Sequence, residues 1–229
     1  GDSLTEENSR TTVHYFDYIA EATGVKVVNM GLSGSGYAKR ADSGDAFYQR
    51  ILNVPTDSDV VTIFGSGNGS NAQRISEYFA DKEGIKIATF VVNKKDAYMI
   101  ERAKNLGIPC RVFGRNDFYN TNNVTDYLKE MDIDFVVLAG FLWLVPENIL
   151  QTYPRRIVNI HPALLPLYGG KGMYGMNVHQ AVIDNKEQES GITIHFVDEK
   201  YDEGTTIFQA KCNIAPDDTA ETLAQKIHL

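Results

Sequence analysis

Short apolar runs rich in Val and Ile alternate along this chain with stretches of helical spacing, and that alternation leaves few folds open. The runs are Val25 to Met30, Val60 to Phe64, Ile85 to Val92, Phe135 to Ala139, Ile157 to Ile160, Gly191 to Phe196 and Thr206 to Ala210. They read as strands, the continuous ones buried on both faces. Between them, helical spacing covers Thr12 to Ala22, Ala46 to Val54, Asn71 to Asp81, Ala97 to Leu106, Val124 to Met131, Asn177 to Asn185 and Thr219 to Ile227. The alternation predicts an α/β fold around a mostly parallel, doubly wound sheet. Ligands of such sheets sit beyond the carboxyl ends of the strands, which directs attention to the loops after Met30, Phe64, Ala139 and Ile160. The turn Pro55-Thr56-Asp57-Ser58 is the plausible seam in the first third.

Charge and cysteine content narrow the function classes. Twenty-two Lys and Arg against thirty Asp and Glu give a formal net charge of −8, so the overall field repels nucleic acid and anionic membranes. A phosphate ligand therefore needs a local cradle. The two cysteines, Cys110 and Cys212, lie far apart without CxxC spacing, which supports neither a disulfide framework nor a zinc site. No apolar run approaches the roughly 18 residues of a membrane span. The expectation is a soluble, cytoplasmic protein without a metal.

The strand Val60-Val61-Thr62-Ile63-Phe64 runs into Gly65-Ser66-Gly67-Asn68-Gly69-Ser70-Asn71, after which helical spacing starts. Glycines there permit positive φ and close backbone approach, and free N–H groups at the helix start suit a phosphate. The spacing is neither GxGxxG nor a nucleoside triphosphate loop, and such a turn serves equally well merely to reverse the chain tightly.

A second constellation is Ile157-Val158-Asn159-Ile160-His161-Pro162. Strand alternation puts Asn159 and His161 on one face. An amide can donate to a developing oxyanion and an imidazole can relay a proton, which suits reaction through a tetrahedral intermediate. A strand-capping, purely structural histidine is the alternative. Asp202, in a polar loop between two apolar strands, would orient His161 and favour the imidazolium. The stretch Tyr168 to Gly175, with four glycines, reads as a loop closing over substrate or as a flexible connector.

With these residues in view, positions 58–229 resemble the phosphoribosylglycinamide formyltransferase family. The matching pieces are Ser66 to Asn71, Val92 to Ala97, Ala139 to Leu142, Asn159 to Pro166, His195 to Val197 and Asp202 to Gly204, the block around His161 being highly specific. The resemblance implies a Rossmann-like formyltransferase fold and transfer of a formyl group from 10-formyltetrahydrofolate to the amine of glycinamide ribonucleotide, in purine synthesis. It implies that Gly69, Ser70 and Asn71 hold the ribonucleotide phosphate, and that Asn159 supports the formyl oxygen. By the same resemblance His161 shuttles the proton, and Asp202 positions His161 and a water. The folate pterin would lie against Leu142, Trp143, Leu144, Val145 and Tyr201, although Trp143 reads equally well as core. The family's last helix normally runs past the position of Leu229 and brings a glutamate toward the substrate, so weakened ribonucleotide binding is expected.

Residues 1–68 are similar instead to part of the GDSL or SGNH esterase family, in the blocks Gly1 to Thr5, Asn29 to Gly34 and Gly65 to Asn68. That resemblance implies a flavodoxin-like fragment over 1–57, with Ser3 as nucleophile and Gly34 and Asn68 at an oxyanion hole. The late Asp-x-x-His of those esterases has no counterpart, since Val158 stands three residues before His161. The chain thus reads as a fusion, with three competing functions: formyl transfer, ester hydrolysis through Ser3, or an inactive chimera. In the formyltransferase arrangement Val60 to Phe64 pairs with Ile85 to Val92 on one side and Phe135 to Ala139 on the other. Val25 to Met30 then has no seat beside it, and residues 1–57 are expected at the rim of the sheet or mobile.

Overall fold

The computed structural model describes residues 60–81 and 85–228. The readings made for residues 1–57, including the strand Val25 to Met30, its flanking helices, Ser3 and Gly34, lie outside the described residues.

Among these, seven strands form one sheet: β1 (Val60–Gly65), β2 (Lys86–Val92), β3 (Cys110–Val112), β4 (Phe135–Leu138), β5 (Ile157–His161), β6 (Glu189–Phe196) and β7 (Thr206–Asn213), in the order β3-β2-β1-β4-β5-β6-β7. β1 lies between β2 and β4, parallel to both, as the formyltransferase arrangement requires. β6 runs antiparallel to β5 and to β7. The helices are α1 (Ser70–Phe79), α2 (Met99–Leu106), α3 (Arg115–Tyr119), α4 (Asn123–Glu130), α5 (Glu147–Thr152), α6 (Met176–Asp184) and α7 (Ala220–His228).

Strand alternation divides the core between the two faces of the sheet. Val61, Ile63, Phe90, Val92 and Val137 pack with Ile75, Phe79 and Met99 of α1 and α2. Phe64, Val91, Val136 and Leu138 point the other way, onto Phe118, Leu128 and Ile149 of α3, α4 and α5. That double burial explains why these strands lack polar alternation. A smaller cluster of Val182, Ile192, Ala210, Leu223 and Ile227 seals α6 and α7 onto the antiparallel end.

Three elements carried no prediction from the sequence: β3, α3 and α5. β3 is three residues long, too short for a periodicity, and exists through pairing with Phe90 to Val92. α3 and α5 have five and six residues, fewer than two turns, and form by packing Phe118 and Ile149 into the core. α1 begins one residue earlier than expected, because Gly69 adopts the left-handed conformation (φ 74°) and starts the helix at Ser70.

Candidate active site

The loops after β1 and β4 are joined at one point. Ser66 donates its N–H to the Gly140 carbonyl (3.1 Å), and its Oγ accepts the N–H of Leu142 (3.0 Å). Gly69 then turns into α1. A Cβ on Gly69 would stand 2.7 Å from the Met99 side chain, so close packing as well as positive φ requires glycine there. The first N–H groups of α1 have no carbonyl one turn earlier and remain available donors.

β5 supplies Asn159 and His161 to one face. Across the antiparallel pair Asn159 is in register with His195 of β6, so all three side chains stand on the same side of the sheet. His195 is buried (2% exposed), and its Nδ1 lies 2.8 Å from the Phe196 carbonyl. That contact assigns the proton to Nδ1 and leaves the Nε2 lone pair to accept from Asn159 Nδ2 at 3.1 Å. The sequence reading gave His195 no role. Its signal was an imidazole close to the end of a mostly apolar run, Gly191 to Phe196.

Asp202 closes the group from the β6–β7 loop. Its Oδ2 lies 3.5 Å from His161 Nδ1 and accepts the N–H of Gly170 at 2.9 Å. Its Oδ1 lies 3.5 Å from His195 Nε2 and 3.4 Å from Asn159 Nδ2. The Asp202 backbone is left-handed (φ 58°), a conformation Asp tolerates better than most residues. His161 Nε2 lies 2.8 Å from the Tyr168 carbonyl. The glycine-rich stretch therefore touches both His161, through Tyr168, and Asp202, through Gly170.

Burial lowers the pKa of His161 below the ordinary 6.5, although the Asp202 charge and the Tyr168 carbonyl act to raise it. The expected pull of Asp202 toward the imidazolium is present, but loss of water outweighs it and the neutral ring dominates near pH 7. For Asp202, burial pushes upward, but the adjoining imidazoles of His195 and His161 and the Gly170 N–H outweigh it and hold the carboxyl below the usual 3.8.

These groups line a cavity of about 330 Å³. Asn71 also lines it, whereas Gly69 and Ser70, at the start of α1, do not. Leu142, Trp143, Leu144, Val145 and Tyr201 form the apolar side. Two backbone donors on this side are already engaged: Leu142 N–H by Ser66, and Leu144 N–H by the Tyr201 hydroxyl at 3.2 Å. Trp143 is both wall and half-buried core, its ring against Phe118, Tyr119 and Phe141. Asn68 stands outside the cavity lining, and its Oδ1 accepts from Arg102 at 2.8 Å.

An amide donor, a neutral imidazole and a carboxylate on one wall of an open α/β sheet equip a protein for group transfer through a tetrahedral carbon. The chain belongs to the formyl transferase family, whose model matches residues 60–229. It is 42% identical over 173 residues to a chloroplastic phosphoribosylglycinamide formyltransferase of Arabidopsis thaliana, covering 73% of this chain and 59% of the relative. A phosphoribosylglycinamide formyltransferase of Haemophilus influenzae is 37% identical, covering 70% of this chain and 76% of the relative. The crystal structure of the phosphoribosylglycinamide formyltransferase from Bacillus halodurans superposes with a TM-score of 0.66 at 38% identity, over 74% of this chain and 87% of that one. The chain thus spans little more than half the length of the plant relatives it matches, 59% and 55%. Among the described residues no helix is long and apolar enough to cross a membrane.

Proposed function

We propose that this chain transfers the formyl group of 10-formyltetrahydrofolate to the amine of glycinamide ribonucleotide, a step of purine biosynthesis. The observation that carries the reading is the convergence of Asn159, His161 and Asp202 in one cavity wall with Asn71 of the glycine-rich turn. Gly69, Ser70 and Asn71 hold the phosphate at the start of α1. The folate ring lies against Leu142 to Val145 and Tyr201, and the cytoplasm or a plastid stroma would supply both substrates.

The amine attacks the formyl carbon, forming a C–N bond and an oxyanion; collapse breaks the bond to the folate nitrogen. The amine loses one proton and the folate nitrogen gains one, so no oxidant, metal or covalent enzyme intermediate enters the balance. Asn159 donates to the oxyanion, neutral His161 carries the proton, and Asp202 stabilises the imidazolium that forms on the way. Once the Tyr168 carbonyl releases Nε2, the ring proton passes to Nδ1, where Asp202 accepts it, and the Nε2 lone pair is free for a bound amine, which gives the glycine-rich stretch a part in closure.

A direct assay of formyl transfer across pH tests this. Protonation removes the base, so kcat/KM is expected to be level from pH 7 to 8.5 and to fall about tenfold per pH unit once the pH drops below the lowered His161 pKa. A profile that never falls on the acid side while the protein stays folded refutes the relay, and no transfer at any pH refutes the function.

His195 holds Asn159 through a single hydrogen bond, so His195→Ala is expected to lower kcat about tenfold, the worth of one such bond. His195→Gln, whose amide oxygen can still accept from Asn159, recovers part of the loss. Unchanged kcat in His195→Ala removes this role.

A further inference from the structure

We infer that Arg102, which does not line the cavity, is a positioning residue that presets the glycine-rich turn for a phosphoryl group. This rests on the phosphate reading above. At its amino end α2 takes two successive carbonyls of the turn. Met99 N–H donates to the Gly67 carbonyl at 3.2 Å, and Arg102 Nε donates to the Asn68 carbonyl at 2.8 Å. In a trans peptide the carbonyl and the following N–H point in opposite directions. Drawing the Gly67 and Asn68 oxygens toward α2 therefore turns the Asn68 and Gly69 N–H groups away from it. With Gly69 left-handed at φ 74° and ψ 19°, successive N–H groups of this kind form an anion-binding concavity continuous with the first donors of α1.

The guanidinium is held from several directions. Its Nη2 donates to Asn68 Oδ1 at 2.8 Å, Nη1 donates to Gln73 Oε1 on α1, and the Tyr98 ring lies 5.0 Å from its central carbon. The fork thus bridges main chain and side chain of Asn68 and ties the turn to the helix behind it. A lysine ammonium keeps the charge but cannot reproduce this planar set. Asn68 thereby gains a use the sequence did not disclose: its side chain completes the fork's grip on the turn.

The test compares wild type, Arg102→Ala and Arg102→Lys in the full chain, with calorimetric Kd values for glycinamide ribonucleotide and for folate, and steady-state kinetics. Arg102→Ala is expected to raise Kd and KM for the ribonucleotide by about tenfold, with kcat and folate Kd changed by less than about twofold. Arg102→Lys is expected to recover only a minor part of that loss. Ribonucleotide affinity unchanged in Arg102→Ala, equal losses for both ligands, or full recovery by lysine overturns the inference. If Arg102→Ala does not fold, the lysine variant decides by itself, a wild-type Kd overturning the role. Wild-type protein that binds folate but no ribonucleotide overturns the phosphate reading and this inference with it, a result distinct from the variant outcomes.

Discussion

His161→Ala is expected to lower kcat for formyl transfer about a thousandfold, the middle of the range for a positioned acid–base group. The ring is 3% exposed, and burial keeps it neutral, so it offers a lone pair at the pH where the amine must shed a proton. Asp202 stays ionised beside it and stabilises the imidazolium that follows. With folate against the wall from Leu142 to Val145, as proposed, its affinity is expected to change by less than about threefold, which separates lost chemistry from lost binding. His161→Asn, closer in volume, should show the same collapse in kcat. A residual rate within about tenfold of wild type in both variants would remove His161 from the proton path.

Gly204→Ala is expected to lower stability by about 3 kcal/mol and to depress activity with it. A Cβ at Gly204 would stand 1.8 Å from the Phe196 carbonyl oxygen and 3.4 Å from His195 Nδ1. Backbone cannot yield as a side-chain tip does, so the β6–β7 loop must move outward. Asp202 rides on that loop, and its contacts with His161, His195 and Gly170 span 2.9 to 3.5 Å. Thermal unfolding is expected to drop by roughly 6 to 12 °C. Above pH 7 the activity loss should exceed what the remaining folded fraction explains. A variant with wild-type Tm and turnover would show that the loop tolerates the methyl group.

The parts legible in the sequence were those set by local pattern. Runs such as Val60 to Phe64 and Phe135 to Ala139 declared strands because a strand buried on both faces needs no polar alternation. Asn159 and His161 declared a shared face because they are two residues apart. β3, α3 and α5 were not legible, since each is shorter than the period that would reveal it. The pull of Asp202 on His161 was legible, but the net balance was not: a neighbouring carboxylate is visible in a sequence, whereas the loss of water around His161 is a property of the folded interior. His195 and Arg102 went unassigned because their partners, Asn159 and Asn68, are tens of residues away. Only the register of β5 on β6 and the docking of α2 on the turn bring them together.

The double tie at Ser66, to the Gly140 carbonyl and the Leu142 N–H, has a mechanical consequence. It ties the loops that follow the adjacent strands β1 and β4 to each other, so on the proposed reading the ribonucleotide and the folate would be seated on one frame. Two substrates seated on one such frame keep their mutual spacing whatever else moves.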